Sequence, residues 1–86
     1  MEFEVEAALL VNEGGVHCTP LVFARPVGGD GPKTLAGRSF LKGLRVAALD
    51  PSRGAARGAG LVAFVLDDPM DVREFKPGEV VRLESR

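Results

Sequence analysis

The first seven residues alternate between apolar and acidic side chains, and no other feature of the chain constrains its fold as strongly. Phe3, Val5 and Ala7 are separated by glutamates. Because successive side chains of a β-strand point to opposite faces, this pattern predicts a strand with one buried face and one wet face. The continuous apolar run over residues 8–11 predicts either burial on both faces or a β-bulge that shifts the alternation.

Glycine and proline divide the rest of the chain into short segments. The chain has 11 Gly and 6 Pro in 86 residues, which favours many turns over long helices. The predicted turns and loops cover residues 12–15, 26–32, 50–60 and 76–79. The predicted strands after the first cover residues 16–23, 61–66 and 80–83.

Two segments do not fit the pattern of a regular strand. Pro20 lacks an N–H, so the predicted strand around it must have an edge or a bulge at that point. Residues 41–49 fit a strand with Leu44 and Val46 pointing inward, but a short helix is also compatible with them. Short strands separated by turns, with no long helix, predict an all-β fold, either a small barrel or a sandwich, as one domain over residues 1–86.

The composition indicates a soluble, cytoplasmic domain. Cys18 is the only cysteine, so the chain cannot form the internal disulfides on which small secreted domains depend. No charged start leads into an apolar run and a cleavage site, so we expect no signal peptide. The longest apolar runs are too short to cross a bilayer, and we expect no contact with a membrane.

The positive charge is concentrated in the middle of the chain, although the net charge is only −1. The residues that form this basic set are Lys33, Arg38, Lys42, Arg45, Arg53 and Arg57. Lysine and arginine supply the phosphate contacts of nucleic-acid-binding proteins, so this set is the candidate contact for a partner or for RNA. The same charge could instead serve only to keep the protein soluble.

No arrangement of residues indicates catalysis, a metal or a cofactor. His17 and Cys18 are adjacent on a predicted strand and should point to opposite faces, which argues against a nucleophilic pair. A zinc site needs four ligands, and one Cys with one His is too few. Asp67, Asp68 and Asp71 lie around a proline and are more typical of a solvated turn than of a calcium site.

Two sets of turn residues, one near each end of the chain, form a recognisable pattern. The first set is Gly14, Gly15, His17, Thr19, Pro20, Arg25 and Pro26. The second set lies within residues 64–69, 76–78 and 81–84. Together they resemble a known family, the C-terminal β-barrel domain of elongation factor Tu.

This resemblance implies a small Greek-key-type β-barrel of about five to six short strands. In that family the domain is not catalytic and contacts aminoacyl-tRNA and the nucleotide-exchange partner. The resemblance therefore implies a non-enzymatic binding module that docks a protein partner, with binding of a structured-RNA backbone as the alternative. The chain lacks the family's final turn and closing strand, so either the barrel closes differently or a sheet edge stays open. An open edge would allow a homodimer.

Overall fold

The computed structural model describes all 86 residues, and the fold is built from antiparallel strands. The strands are β1 (Glu2–Glu13), β2 (His17–Pro26), β3 (Ser39–Leu41), β4 (Leu44–Asp50), β5 (Val62–Leu66) and β6 (Val80–Ser85). A short helix, α1 (Pro51–Arg57), joins β4 to β5, and a 3₁₀ helix (Pro69–Glu74) joins β5 to β6. The predicted all-β class is confirmed.

The six strands form a closed barrel in the order β1-β2-β5-β4-β3-β6. After β5 the chain crosses to the far side, where β6 pairs with β1 over Glu2–Glu4 and with β3 over Ser39–Leu41. The barrel therefore closes without a further strand. Of the two alternatives, the barrel does close differently, because β6 fills the place of the missing closing strand.

The barrel interior is filled by aliphatic side chains around one aromatic pair. Phe3 and Phe64 are fully buried and meet edge to face, with ring centroids 4.9 Å apart. Around this pair the core cluster contains Val5, Val22, Ala24, Leu41, Val46, Val62, Leu66, Phe75 and Val81. Edge-to-face contact adds to the burial of both rings, so this pair links the first strand to the centre of the core.

A β-bulge changes the direction of the side chains along β1. The pairing with β2 shifts between Val5 and Ala7, which leaves Glu6 as the extra residue. Phe3 and Val5 point into the barrel, whereas Ala7 packs in a small cluster on the outer side. Of the two alternatives for the run over residues 8–11, the bulge is the one observed, although it lies just before the run, at Glu6. The expectation that Ala7 shares a face with Val5 is wrong because the bulge lies between them.

Beyond the barrel, residues 10–13 of β1 and 17–20 of β2 continue as a two-stranded ribbon. Its turn contains Gly14 and Gly15, with φ of 79° and 96°, as the predicted turn requires. Pro20 pairs with Leu10 in β1, and β2 begins to pair with β5 only at Leu21. Pro20 therefore lies where β2 has a single neighbour, and the predicted edge position is confirmed.

The middle of the chain forms a hairpin followed by a helix. Residues 41–49 take the strand alternative, with Val46 buried, but they contain a tight turn at Lys42-Gly43 that separates β3 from β4. Both turn residues have positive φ. The predicted loop over 50–60 is wrong for its first part, because α1 begins there. The Asp50 side chain accepts a hydrogen bond from the Arg53 N–H at 2.9 Å, which caps the helix.

In the last part of the chain the two predicted strands are present, and the 3₁₀ helix between them was not predicted. The strands over 61–66 and 80–83 correspond to β5 and β6. In the predicted turn just before β6, the Glu79 N–H donates to the Lys76 carbonyl at 3.1 Å, and Gly78 has φ of 88°. Residues 27–38 form no helix or strand. Neither helix has the length and apolar character needed to cross a membrane.

Candidate functional site

The six residues of the predicted basic set do not share one surface, and half of them are held by carboxylates. Lys42 Nζ lies 2.7 Å from a carboxylate oxygen of Glu79 and 5.4 Å from the centroid of the Phe75 ring. Arg57 Nε lies 2.8 Å from a carboxylate oxygen of Glu6. These contacts hold loops and strands together, so both side chains have partners within the fold.

Arg53 is the third member of the set with partners in its own chain. Its guanidinium contacts Glu13, at the end of the ribbon, and lies 3.4 Å from Asp50. The hydrogen bond from Arg53 holds the pKa of the Glu13 carboxyl below its usual value, despite some desolvation. Arg53 and Arg57 thus tie α1 to β1, at the ribbon and at the bulge.

Two other members, Arg38 and Arg45, lie around an outward-facing aromatic ring. Phe40 is the middle residue of β3, between the buried Ser39 and Leu41, so its ring points away from the barrel interior. Directly across the sheet, Phe40 pairs with Arg45 in β4. Side chains at directly opposed positions are neighbours on one face.

The third strand of this face is β6, which brings two further arginines. Arg38 and Arg86 exchange both backbone hydrogen bonds, at 3.2 and 2.8 Å, so their side chains are directly opposed. The Arg86 guanidinium lies 4.8 Å from the centroid of the Phe40 ring, a cation–π distance. Glu84 pairs with Phe40 and lies on the same outward side. Arg82 precedes Glu84 by two residues and therefore points to that side of β6 as well.

We call this surface the arginine face. Its members are Arg38, Phe40, Arg45, Arg82 and Arg86. All four arginines are exposed, and none of them forms an ion pair within 4.0 Å. In contrast to Lys42, Arg53 and Arg57, these guanidinium groups have no carboxylate partner in the fold.

Carboxylates lie within and beside the arginine face without binding its arginines. Glu84 pairs with Phe40 across the sheet, between Arg82 and Arg86 on β6, and Glu2 pairs with Arg82. Asp67 follows β5 and donates its N–H to the carbonyl of Arg45 at 3.1 Å. The surface therefore has mixed charge, with Glu84 among the arginines and Glu2 and Asp67 beside them.

A shallow groove borders the arginine face at Arg82. It has a volume of about 450 Å³ and lies between Met1, Arg82 and the segment that follows β2, with Glu2 and Asp30 among its lining. The groove carries both signs of charge, like the face that it adjoins. Lys33, the remaining residue of the basic set, lies in the segment between β2 and β3 and forms no ion pair.

The sequence contained part of the signal for this face. Val81 and Leu83 alternate with Arg82 along the last strand, which places Arg82 on the side away from the buried Val81. Arg86 was missed because its partner Phe40 is far away in the sequence, and only the pairing of β3 with β6 brings them together. Register between distant strands is not readable from local periodicity.

The other sequence candidates lie apart from this face. His17 and Cys18 are both exposed on the ribbon, where they pair with Glu13 and Asn12. No group of three or more His, Cys, Asp or Glu side chains is arranged to hold a metal ion.

The acidic residues around Pro69 have a structural role in the 3₁₀ helix. The Asp68 carboxylate accepts a hydrogen bond from the Met70 N–H at 2.9 Å and caps the helix. Desolvation raises the pKa of the Asp71 carboxyl, and the neighbouring carboxylates of Asp68, Glu74 and Asp67 raise it further.

The turn residues that carry the family resemblance lie on the ribbon and on β2. Thr19 Oγ1 donates to a carboxylate oxygen of Glu13 at 3.1 Å, which joins the two ribbon strands near the turn. Arg25 is exposed on β2, and Pro26 is the last residue of that strand. Comparisons with protein-family models, with curated proteins and with solved structures found no match.

Proposed function

We propose that this chain is a non-enzymatic binding module that docks a protein partner through the arginine face. The observation that carries the proposal is the set of four exposed arginines around Phe40, none of which has an ion-pair partner in the fold. Unpaired guanidinium groups next to an aromatic ring are available for contacts with another molecule.

The composition of the arginine face favours a protein as that molecule. Arginine and aromatic residues are enriched in the central part of protein–protein interfaces, and arginine is frequent among the residues that dominate binding energy. Arg86 is already stacked on Phe40, so its guanidinium is oriented before a partner arrives. An oriented side chain loses less conformational entropy on binding.

The carboxylates beside the arginines support the same choice. Glu84, Asp67 and Glu2 all lie next to residues of the face. A protein surface can present carboxylates to the arginines and cations to these three side chains, whereas a phosphate backbone carries one sign of charge throughout. The resemblance of the ribbon turn to the C-terminal domain of elongation factor Tu also favours a docking role, in the cytoplasm.

Binding of a structured-RNA backbone is the second candidate. The pairing of Arg38 directly opposite Arg86 favours it, because two adjacent guanidinium groups can contact successive phosphates. Phe40 offers little to a base, since Arg86 covers its ring. Any RNA contact would therefore involve the backbone, and its affinity would fall steeply with salt.

The test compares a charge-reversed face with an equal change elsewhere. The variant R38E/R45E changes two exposed arginines of the face, and R25E/R73E changes two exposed arginines outside it. Each purified protein is immobilised, crosslinked in cell extract with and without ribonuclease, and the captured proteins are quantified by mass spectrometry.

We expect to find a protein that is captured equally by the wild type and by R25E/R73E. R38E/R45E should capture at least about tenfold less of this protein, which corresponds to a loss of roughly 1.4 kcal/mol in binding free energy. The signal should survive ribonuclease. Equal capture by all three proteins would overturn the proposed docking face. Loss of the signal with ribonuclease, together with salt-dependent binding of bulk tRNA, would replace the protein partner by RNA.

A further inference from the structure

The second half of β1 has a strand neighbour on one side only. Its pairing with β6 ends at Glu4, and Val5 exchanges backbone hydrogen bonds with Gly78 and Glu79 at 2.7 and 2.8 Å. From Ala7 onward, β2 is the only element that forms backbone hydrogen bonds with β1. From Ala7 onward, the side of β1 that faces away from β2 is therefore an unpaired edge, which continues into the ribbon.

This edge lacks the features that usually prevent pairing between proteins. Residues 7–12 read Ala-Ala-Leu-Leu-Val-Asn, with no charged residue and no proline. The bulge at Glu6 lies before this segment and does not interrupt it. Leu10 is 46% exposed although it is aliphatic. Lysine, proline and internal bulges are the common protections of an edge strand, and none is present here.

The carboxylates at the two ends of the segment are both neutralised within the chain. Glu6 is held by Arg57, and Glu13 is held by Arg53, with both arginines on α1. Without these ion pairs, two copies of the strand would bring carboxylates close together when aligned in opposite directions. The pairs with α1 reduce that repulsion at both ends of the edge.

We propose that two copies of this chain pair antiparallel along residues 7–12 of β1, which makes a continuous β2–β1–β1–β2 sheet. A twofold axis at Leu10 sets Leu10 directly opposite Leu10 of the other copy and places each end of the segment near the opposite end of its partner. The contact is isologous, so the same short uncharged segment satisfies both partners. Backbone hydrogen bonds supply the pairing, and the exposed Leu10 side chains of both copies are covered.

The proposal does not depend on the arginine face. That face is built from β3, β4 and β6, whereas the pairing edge belongs to β1. A protein with a reversed arginine face should therefore still self-associate, and a protein with a blocked edge should still capture a partner. The two proposals can fail separately.

The test is sedimentation equilibrium over a range of protein concentrations, together with hydrogen exchange. We expect a concentration-dependent dimer in the wild type and in R38E/R45E. L10K places a charge on the edge and should raise the dimer dissociation constant by at least about tenfold, since like charges then face each other across the pair. The matched control is V16K, the same change in charge at the ribbon turn, where Val16 is 87% exposed.

Hydrogen exchange keeps the test independent of any variant. In the wild type, amides within residues 8–12 should exchange more slowly as the concentration rises, while those of β3 stay unchanged. A monomer at all concentrations would overturn the proposal. So would a dimer that L10K and V16K weaken equally, or one in which residues 8–12 gain no protection.

Discussion

Gly54 lies where α1 crosses β5, and the helix approaches the strand so closely that a side chain has no room. A Cβ atom on Gly54 would lie 2.4 Å from the Cα of Val62 and 2.5 Å from the carbonyl oxygen of Leu61. Both neighbours are backbone atoms, which cannot turn away as a flexible side chain could. The absence of a side chain at this one residue therefore sets the distance between helix and barrel.

We predict that Gly54→Ala destabilises the protein. Alanine is the better helix former by about 0.5–1 kcal/mol, which alone would stabilise α1. The overlap with the backbone of β5 should cost about 1–3 kcal/mol, as in other overpacked sites, so the net change should be unfavourable. Chemical denaturation followed by circular dichroism measures the free energy of unfolding.

The control for this variant is Ser52→Ala, an exposed position in the same helix. Its effect should stay within about 0.5 kcal/mol. If Gly54→Ala were instead more stable than the wild type, helix propensity would outweigh the overlap, and α1 would have to lie farther from β5 than the structure places it.

Among the elements, two turns from distant parts of the chain are joined by one ion pair. Lys42 lies in the tight turn between β3 and β4, and Glu79 lies just before β6. Their charged groups are 2.7 Å apart, and Lys42 also donates a hydrogen bond to the carbonyl of Glu74. The β3–β4 hairpin is thus fixed to the end of the barrel where the chain enters β6.

We predict that Glu79→Gln removes part of the acid sensitivity of the fold. The hydrogen bond from Lys42 lowers the pKa of the Glu79 carboxyl below its ordinary value of 4.5. A lowered pKa in the folded state contributes stability above the ordinary value, and this contribution is lost as the pH falls through the folded-state pKa. Because both side chains are about one-third exposed, the contribution should be below about 1 kcal/mol.

The measurement is the free energy of unfolding between pH 3 and pH 7. Glu79→Gln should be less stable than the wild type at pH 7 and should approach it at the acid end. Glu4→Gln, an exposed glutamate without an ion pair, serves as the control for loss of one carboxylate. Parallel curves for the wild type and Glu79→Gln would show that the ion pair does not form in solution.

The strands could be predicted from the sequence because their signals are local. The alternation around Phe3 and the turn at Gly78 each lie within a few residues. Helix α1 was missed because its glycine and alanine content resembles a loop, and only Asp50-Pro51 marks its start. The arginine face could be predicted only in part, since Arg86 meets Phe40 through the pairing of distant strands.

The whole barrel is closed by strands from opposite ends of the chain. β6 is the last strand, and it pairs with β1, the first. Phe3 of β1 is also in the centre of the core, against Phe64. The contacts that complete the fold therefore join residues that are far apart in sequence, and their formation carries the entropy cost of closing almost the full length of the chain.

We predict that the protein folds slowly for its size, in milliseconds to seconds, as small barrels dominated by long-range pairing do. The chain has no Trp or Tyr, so stopped-flow circular dichroism is the suitable measurement. The variant Phe3→Leu should slow folding more than it accelerates unfolding, because the contacts that it removes form at the rate-limiting closure. Folding in microseconds would indicate that local structure, rather than the pairing of β1 with β6, limits the rate.

The ribbon carries a natural attachment site for a spectroscopic label. Cys18 is exposed, is the only thiol in the chain, and pairs with Asn12 outside the barrel wall. A nitroxide attached there reports from a single known position without any engineered cysteine. Dipolar coupling between two such labels would give the distance between neighbouring molecules, and the width of the distance distribution would show how stiffly the ribbon extends from the barrel.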